Sequence, residues 1–291
     1  CDGDCGTCHF GCPTGAKQSA LVSYIPRALH FGAQVWAGVR VERILFDGKR
    51  AIGVTGVATR PHGQPAVRVT VRAQLVIAAC GAIHTPALLA RSGVRSHSGA
   101  LGKNLSLHPN CKLTAVFDEK VRGWEGVHQA YQVREFEDEG LVFAAVNIPP
   151  AIVAMTATSL GRELGDLMKL YDQMVVAGML LEDTATGRVA TIGGRPQAFY
   201  QLADVDAQRL KRGVGLLAEL LFTVGAKRII LPFDGAPELR SIDDARRVES
   251  MSIKKSDMEV VTVHMMGTAR MGGDPASAVT DGFGNVHDTD R

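Results

Sequence analysis

"VRVERILFDGKRAIGVTGV", residues 39–57, is two runs of β-branched and apolar residues separated by Asp47-Gly48-Lys49-Arg50. Apolar and polar residues alternate on both sides of a glycine turn, which is the pattern of a half-buried hairpin rather than of a helix. "AVRVTV" (66–71) repeats the alternation after a Pro/Gly loop, so three strands in close succession predict an antiparallel meander.

Working outward, Ser23 is placed to cap a helix over Tyr24 to Phe31, with Pro26 in its first turn and Gly32 just beyond its end. On the other side, "QLVIAA" (74–79) is apolar throughout, as a strand covered on both faces would be. It leads into "CGAIHTPALLARSG" (80–93), a glycine turn and a short helix. Beyond about residue 110 the segments become longer and less regular, and a domain boundary is placed there. Gly193-Gly194 joins "RVATI" to "RPQAFYQL" as a second hairpin. Asp204 is expected to cap a helix that carries Leu210, Val214, Leu217 and Leu221 on one face and stops at Gly225. A strand at 227–231 follows. Ser241 with Asp244 then opens a further short helix, and Val260 to Val263 is read as a buried strand that delivers His264. Sheets with helices packed on them in two regions define an α/β or α+β architecture.

Composition narrows the function. The 291 residues are 46% hydrophobic and 21% charged, a globular balance, and 32 Lys and Arg against 30 Asp and Glu leave a net +2 with no long run of like charge. Nucleic acid is therefore not an expected partner. The most apolar window, "LVFAAVNIPPAIVAMTATSL" (141–160), is interrupted by Asn147 and Pro149-Pro150, which argues against a spanning helix. It reads as core or as the wall of an apolar pocket. No leader is legible before Cys1, and the sequence fixes no compartment: cytoplasmic and membrane-associated locations both fit.

Two features carry possible chemistry. Cys1, Cys5, Cys8 and Cys12, with His9, have ligands enough for zinc or an iron–sulfur cluster, but the spacing is not a standard metal signature; buried thiols or disulfides in a glycine-rich turn are the competing reading. Cys80 and Cys111 read as small buried residues. His264 stands between an apolar run and the glycines Gly267, Gly272 and Gly273, which allow a backbone to approach a planar ligand. A neutral imidazole there suits proton abstraction, whereas a hydrogen-bonded core histidine is the plainer alternative. Met265, Met266 and Met271 beside it read as pocket fillers rather than copper ligands.

Five blocks in order, "CGTCHFGCPTGAKQS", "VRVERILFDGKRAIGV", "LVIAACGAIHTPALLARSGV", "LGKNLSLHP" and "VHMMGTARMGGDPASAVTDGFGNVH", resemble the glucose-methanol-choline (GMC) oxidoreductases, with the closest look to the long-chain alcohol oxidase and cholesterol oxidase-like branch. The resemblance implies a partial FAD-binding domain of the glutathione-reductase type with the β-meander (1–110 and 256–291), interrupted by a substrate domain with an antiparallel sheet and helices (111–255). It also implies FAD as cofactor, with Val41 contacting the adenine, Ala79, Cys80 and Gly81 in the turn against the adenosine half, and Asn104, with His108 a weaker candidate, in the segment that closes over the flavin. His264 falls on the family's active-site histidine. The implied reaction oxidises an apolar, long-chain or sterol-like alcohol by hydride transfer to flavin, with His264 as base and oxygen or another acceptor taking the electrons. No metal is implied. Two departures stand out: no G-x-G-x-x-G follows a strand near the start, and the chain stops at "GNVHDTDR" before a second catalytic residue. These lead to the expectation of an internal piece that is inactive alone. The alternative is a non-catalytic metal- or partner-binding module that uses the Cys1–Cys12 cluster.

Overall fold

A computed structural model describes residues 8, 11–59, 66–127, 129–157, 159–184 and 187–290. In chain order the helices and strands are α1 (Tyr24–His30), β1 (Val39–Asp47), β2 (Arg50–Ala58), β3 (Val67–Arg72), α2 (Gly81–Arg91), β4 (Lys103–Leu105), β5 (Asn110–Val116), β6 (Gln132–Val133) and β7 (Leu141–Ala145). They continue with α3 (Pro150–Thr156), α4 (Gly161–Met168), β8 (Met174–Leu181), β9 (Gly187–Ile192), β10 (Arg195–Phe199), α5 (Asp204–Thr223), β11 (Arg228–Ile230) and α6 (Ile242–Arg247). The chain divides into two compact units, one of residues 25–107, 184–201 and 264–291 and the other of 1–24, 108–183 and 202–263.

In the first of these units β1, β2 and β3 form the expected antiparallel meander, with Ile44 opposite Val54 and Val54 opposite Val71. Alternation gives it one apolar face, and half of that face is covered: Ile44, Phe46, Ala51 and Val54 pack against Leu88, Leu89 and Val94 at and beyond the end of α2. The Gly193-Gly194 hairpin also forms, both glycines having positive φ, and its strand β9 pairs with β4. The run 74–79 departs from expectation. It pairs with no strand among the described residues. Val76 and Ala78 pack beside α2, while Leu75 and Ile77 are 72% and 80% exposed. A uniformly apolar run was read as covered on both faces; here one face alone has a covering.

The second unit is a five-stranded antiparallel sheet in the order β11-β5-β8-β7-β6. The α5 stripe Leu210, Val214, Leu217 and Leu221 packs on Cys111, Leu113, Phe143 and Met179 from one side of the sheet. On the other side Val116, Val176 and Met174 meet Ile148, Val153 and Leu167 from α3, α4 and the loop before them. Within 141–160, then, Leu141, Phe143, Ile148 and Val153 are core residues, whereas Met155 and Leu160 are 81% and 80% exposed. Asp204 does not cap α5: Ala203 is the last extended residue, and Asp204 begins the helix with its carboxylate 2.8 Å from Lys255 Nζ. An acidic group in the first turn favours the helix through its dipole without being the cap. Ser23 likewise donates to the Ser19 carbonyl rather than capping α1, whereas Ser241 accepts from the Asp244 N–H as expected. No helix among the described residues is long and apolar enough to cross a membrane.

Candidate functional site

Val41, Ala79, Cys80, Gly81, Asn104 and His264 all fall in the unit built on the meander; His108 falls in the other. His264 is not delivered by a strand. Residues 260–263 make one isolated bridge, Val261 to Asn110, and two residues past His264 a second bridge joins Met266 to Ser106. Each bridge is a pair of backbone hydrogen bonds of 2.9 to 3.0 Å. The β-branched run is therefore tethered at points rather than buried: Val263 is 83% exposed and His264 is exposed.

What fixes the segment beyond His264 is a set of close backbone approaches. Gly267 has φ 93°, and a Cβ there would lie 2.1 Å from the Asn104 carbonyl oxygen, so no other residue fits without displacing that carbonyl. Thr268 is 1% exposed; its carbonyl accepts from the Gly102 N–H at 2.7 Å, and its hydroxyl donates to the Ala82 carbonyl. Ala82 needs that donor. Pro86 lies inside α2, four residues further on, and has no N–H to give the Ala82 carbonyl the ordinary helical hydrogen bond. The reading of the sequence missed Thr268. The signal was present in "GAIHTP", a helix with a proline at its sixth position and hence one carbonyl short of a donor.

Around this pin lie the other predicted residues. Gly81 opens α2 with φ 73° and has no heavy atom within 4 Å of where a Cβ would be, so open space faces the first turn. Ala79 and Cys80 are exposed, which corrects the expectation of a buried Cys80; its N–H donates to Thr85 Oγ1 at 3.0 Å. Asn104 and His108 both adopt left-handed backbone, φ 59° and 48°, a conformation that costs energy outside glycine and clusters at functional sites. Val41 sits beside a β-bulge, opposite Gly56, and with Trp36, Val39, Val54, Val69 and Val71 lines an apolar cleft of about 370 Å³ on the meander. These features suit an FAD: a flat apolar seat at Val41 and a glycine-opened helix start at Gly81 leave room where the adenosine half is expected.

Cys1, Cys5 and His9 lie outside the described residues. Cys8 and Cys12 are free thiols. Hydrogen bonds from the Thr14 hydroxyl and the Lys17 N–H pull the Cys12 thiol down to about 7, whereas burial pushes Cys111 up to about 12. In the sheet unit an apolar cleft of about 280 Å³ is lined by Val121, Trp124, Val146, Tyr171, Met174 and Val176 among others. Trp124 and Tyr171 stack there with centroids 5.3 Å apart, and the Tyr171 hydroxyl donates to the Ile148 carbonyl at 2.7 Å.

This arrangement has the fold of a flavin-dependent oxidoreductase: an FAD-dependent oxidoreductase from Chaetomium thermophilum, solved with a bound fragment, matches 93% of this chain and 58% of its own with a TM-score of 0.56 and 13% identity. The chain belongs to the GMC oxidoreductase family, whose N-terminal model matches residues 1–110 and whose C-terminal model matches 186–291. FAD is the cofactor that goes with this family and fold. An uncharacterised GMC-type oxidoreductase of Mycobacterium tuberculosis is 34% identical over 97% of this chain, and a long-chain-alcohol oxidase of Arabidopsis thaliana is 25% identical over 99% of it. The chain spans 44% and 42% of the lengths of these two relatives.

Proposed function

We propose that this chain is part of an FAD-dependent oxidoreductase that acts on CH–OH groups, with His264 as the base and an apolar alcohol as substrate. The observation that carries the reading is the pinned segment: Gly267 and Thr268 are locked onto Asn104, Gly102 and α2, and they hold the backbone next to an exposed imidazole at a place otherwise built of glycine turns. Rigid anchoring beside an exposed titratable ring is what general-base catalysis requires, since the base must meet the hydroxyl proton at hydrogen-bond distance.

In this proposal the His264 imidazole takes the proton from the alcohol oxygen and needs to be neutral to do so. FAD supplies the acceptor for the hydride from the carbinol carbon. Val41 and the turn Ala79-Cys80-Gly81 would hold the adenosine half, and Asn104 would border the flavin. The glutathione-reductase-type arrangement is assigned to residues 1–110 and 256–291 and the substrate side to 111–255. Compact-unit limits at 107/108 and 263/264 lie near those boundaries, while residues 1–24 group with the sheet unit and 184–201 with the meander unit. Within the sheet unit taken by itself, the cleft at Trp124 and Tyr171 favours an apolar ligand, because each Å² of alkyl surface moved into it from water contributes about 25 cal/mol. The relative named a long-chain-alcohol oxidase supports the same class. Oxygen or another acceptor would take the electrons.

The test is anaerobic stopped-flow reduction of the flavin-loaded protein by a long-chain primary alcohol. His264→Ala is expected to keep the flavin spectrum and to slow reduction by about 10²–10⁴-fold. Reduction at the wild-type rate in that variant would remove His264 from the reaction.

A further inference from the structure

The opening stretch of cysteines has no part in the flavin reaction proposed above. Within the described residues it contributes Cys8 and Cys12, both free thiols and both partly exposed. Lys17 holds the two ends of their loop: its ammonium donates to the Cys8 carbonyl at 2.8 Å, and its backbone N–H donates to Cys12 Sγ at 3.2 Å. The Gly15 N–H closes a turn on the Cys12 carbonyl at 3.2 Å, with Gly15 in left-handed backbone at φ 67°. Between the two cysteines Gly11 has φ 154°, a bend that glycine makes without strain. Cysteines four positions apart across such a bend can bring their Cα atoms to the roughly 5.5–6 Å that a disulfide needs.

The two sulfurs have different surroundings. Cys12 Sγ accepts from the Lys17 N–H and from the Thr14 hydroxyl, the latter at 3.5 Å, whereas Cys8 Sγ accepts no hydrogen bond among the described residues. Donors aimed at a sulfur stabilise its anion, and they bring the Cys12 thiol down to about 7. The stretch is also without carboxylates: no Asp or Glu lies between Asp4 and Glu42, while Lys17 and Arg27 are cations. An anionic reagent therefore meets no like charge from this part of the chain. Cys80 lacks this setting, since it is exposed and free but its sulfur accepts no hydrogen bond among the described residues. An accessible thiolate with a second thiol four residues away is the arrangement of a dithiol that exchanges with disulfides.

We propose that Cys8 and Cys12 form a redox-active dithiol whose reagent is a low-molecular-weight disulfide of the glutathione type, with Cys12 attacking and Cys8 resolving. The Cys12 thiolate attacks one sulfur of the reagent; the reagent's S–S bond breaks, one thiolate leaves, and a mixed disulfide forms on Cys12. Cys8 then loses its proton to water and attacks Cys12 Sγ, which expels the second thiolate and closes the Cys8–Cys12 bond. Two protein thiols are oxidised, one disulfide is reduced to two thiols, and a dithiol reductant reverses the sequence. At pH 7 about half of Cys12 is thiolate, and after the loss of nucleophilicity that accompanies a low pKa it is expected to react about fivefold faster than an ordinary cysteine.

The test is made on the reduced full chain with glutathione disulfide at neutral pH. Samples are quenched in acid, remaining thiols are capped with N-ethylmaleimide, and the tryptic peptide that ends at Lys17 is sequenced by mass spectrometry beside the one that holds Cys80. The wild type is expected to lose Cys8 and Cys12 together into an internal bond, with no glutathione retained, ahead of any reaction at Cys80. Cys8→Ser is expected to stop at a stable glutathione adduct on Cys12, formed at a rate that rises through pH 7, and Cys12→Ser to slow oxidation of the peptide about fivefold. In concentrated urea the advantage of Cys12 should vanish, because the Lys17 and Thr14 donors leave its sulfur. Glutathione that stays on wild-type Cys12, a bond from Cys12 to Cys1 or Cys5, oxidation of Cys80 at the same rate, or an equally fast reaction in urea would each overturn the proposal. The measurements on the wild-type chain decide the matter even if a variant fails to fold.

Discussion

The pin between Thr268 and α2 can be tested by a double-mutant cycle. Thr268→Val replaces a hydroxyl by a methyl at a position 1% exposed and leaves the Ala82 carbonyl without its donor. Because Pro86 denies that carbonyl the helical alternative, the cost is that of an unsatisfied, part-buried acceptor, about 1–3 kcal/mol. For a chain of this size that is a fall in melting temperature of about 2–4 °C per kcal/mol, measurable by circular dichroism. Thr268→Ser keeps the hydroxyl and loses one methyl, about 0.8 kcal/mol. In a Pro86→Ala background residue 86 regains an N–H aimed at Ala82, so Thr268→Val should there cost about 1 kcal/mol less than in the wild type, a coupling between two positions 182 residues apart. Strict additivity of the two substitutions, or a Thr268→Val variant as stable as the wild type, would refute the account of what holds the His264 segment.

Three further outcomes are expected. Gly267→Ala should destabilise by about 2–4 kcal/mol, since its Cβ would overlap the Asn104 carbonyl at a left-handed φ, whereas Gly273→Ala, with open space around it, should fall within about 0.5 kcal/mol in the same denaturation assay. Alkylation by iodoacetamide should modify Cys12 with a rate that rises through pH 7, because its lowered thiol pKa puts about half of it in the reactive thiolate form there, while Cys111 stays unmodified up to pH 9 in the folded chain; peptide mapping separates the two. The Tyr171 hydroxyl, its pKa raised by burial, should titrate above the range of an exposed tyrosine, seen as a delayed phenolate absorbance that Tyr171→Phe removes.

Much of the local architecture was legible because local patterns encode it. Alternation at 39–72 specified three strands and their apolar face, Gly193-Gly194 specified a hairpin, and the spacing of Leu210, Val214, Leu217 and Leu221 specified the buried stripe of α5. The family was legible through motif order. The runs 74–79 and 260–263 were misread for a common reason. Apolar β-branched composition says that a segment favours extended backbone and says nothing of whether a partner strand lies beside it; the first run has no such partner among the described residues and the second has a single bridge.

The sequence by itself determined the meander of 39–72, the Gly193-Gly194 hairpin and the buried stripe of α5, since these depend on side chains a few residues apart. Only the tertiary structure decided that Thr268 serves the carbonyl orphaned by Pro86 and that Gly267 lies against Asn104. Those relations join positions far apart in the chain. A hydrogen bond or a close approach depends on where two chain segments meet in space, and no periodicity along the chain carries that distance.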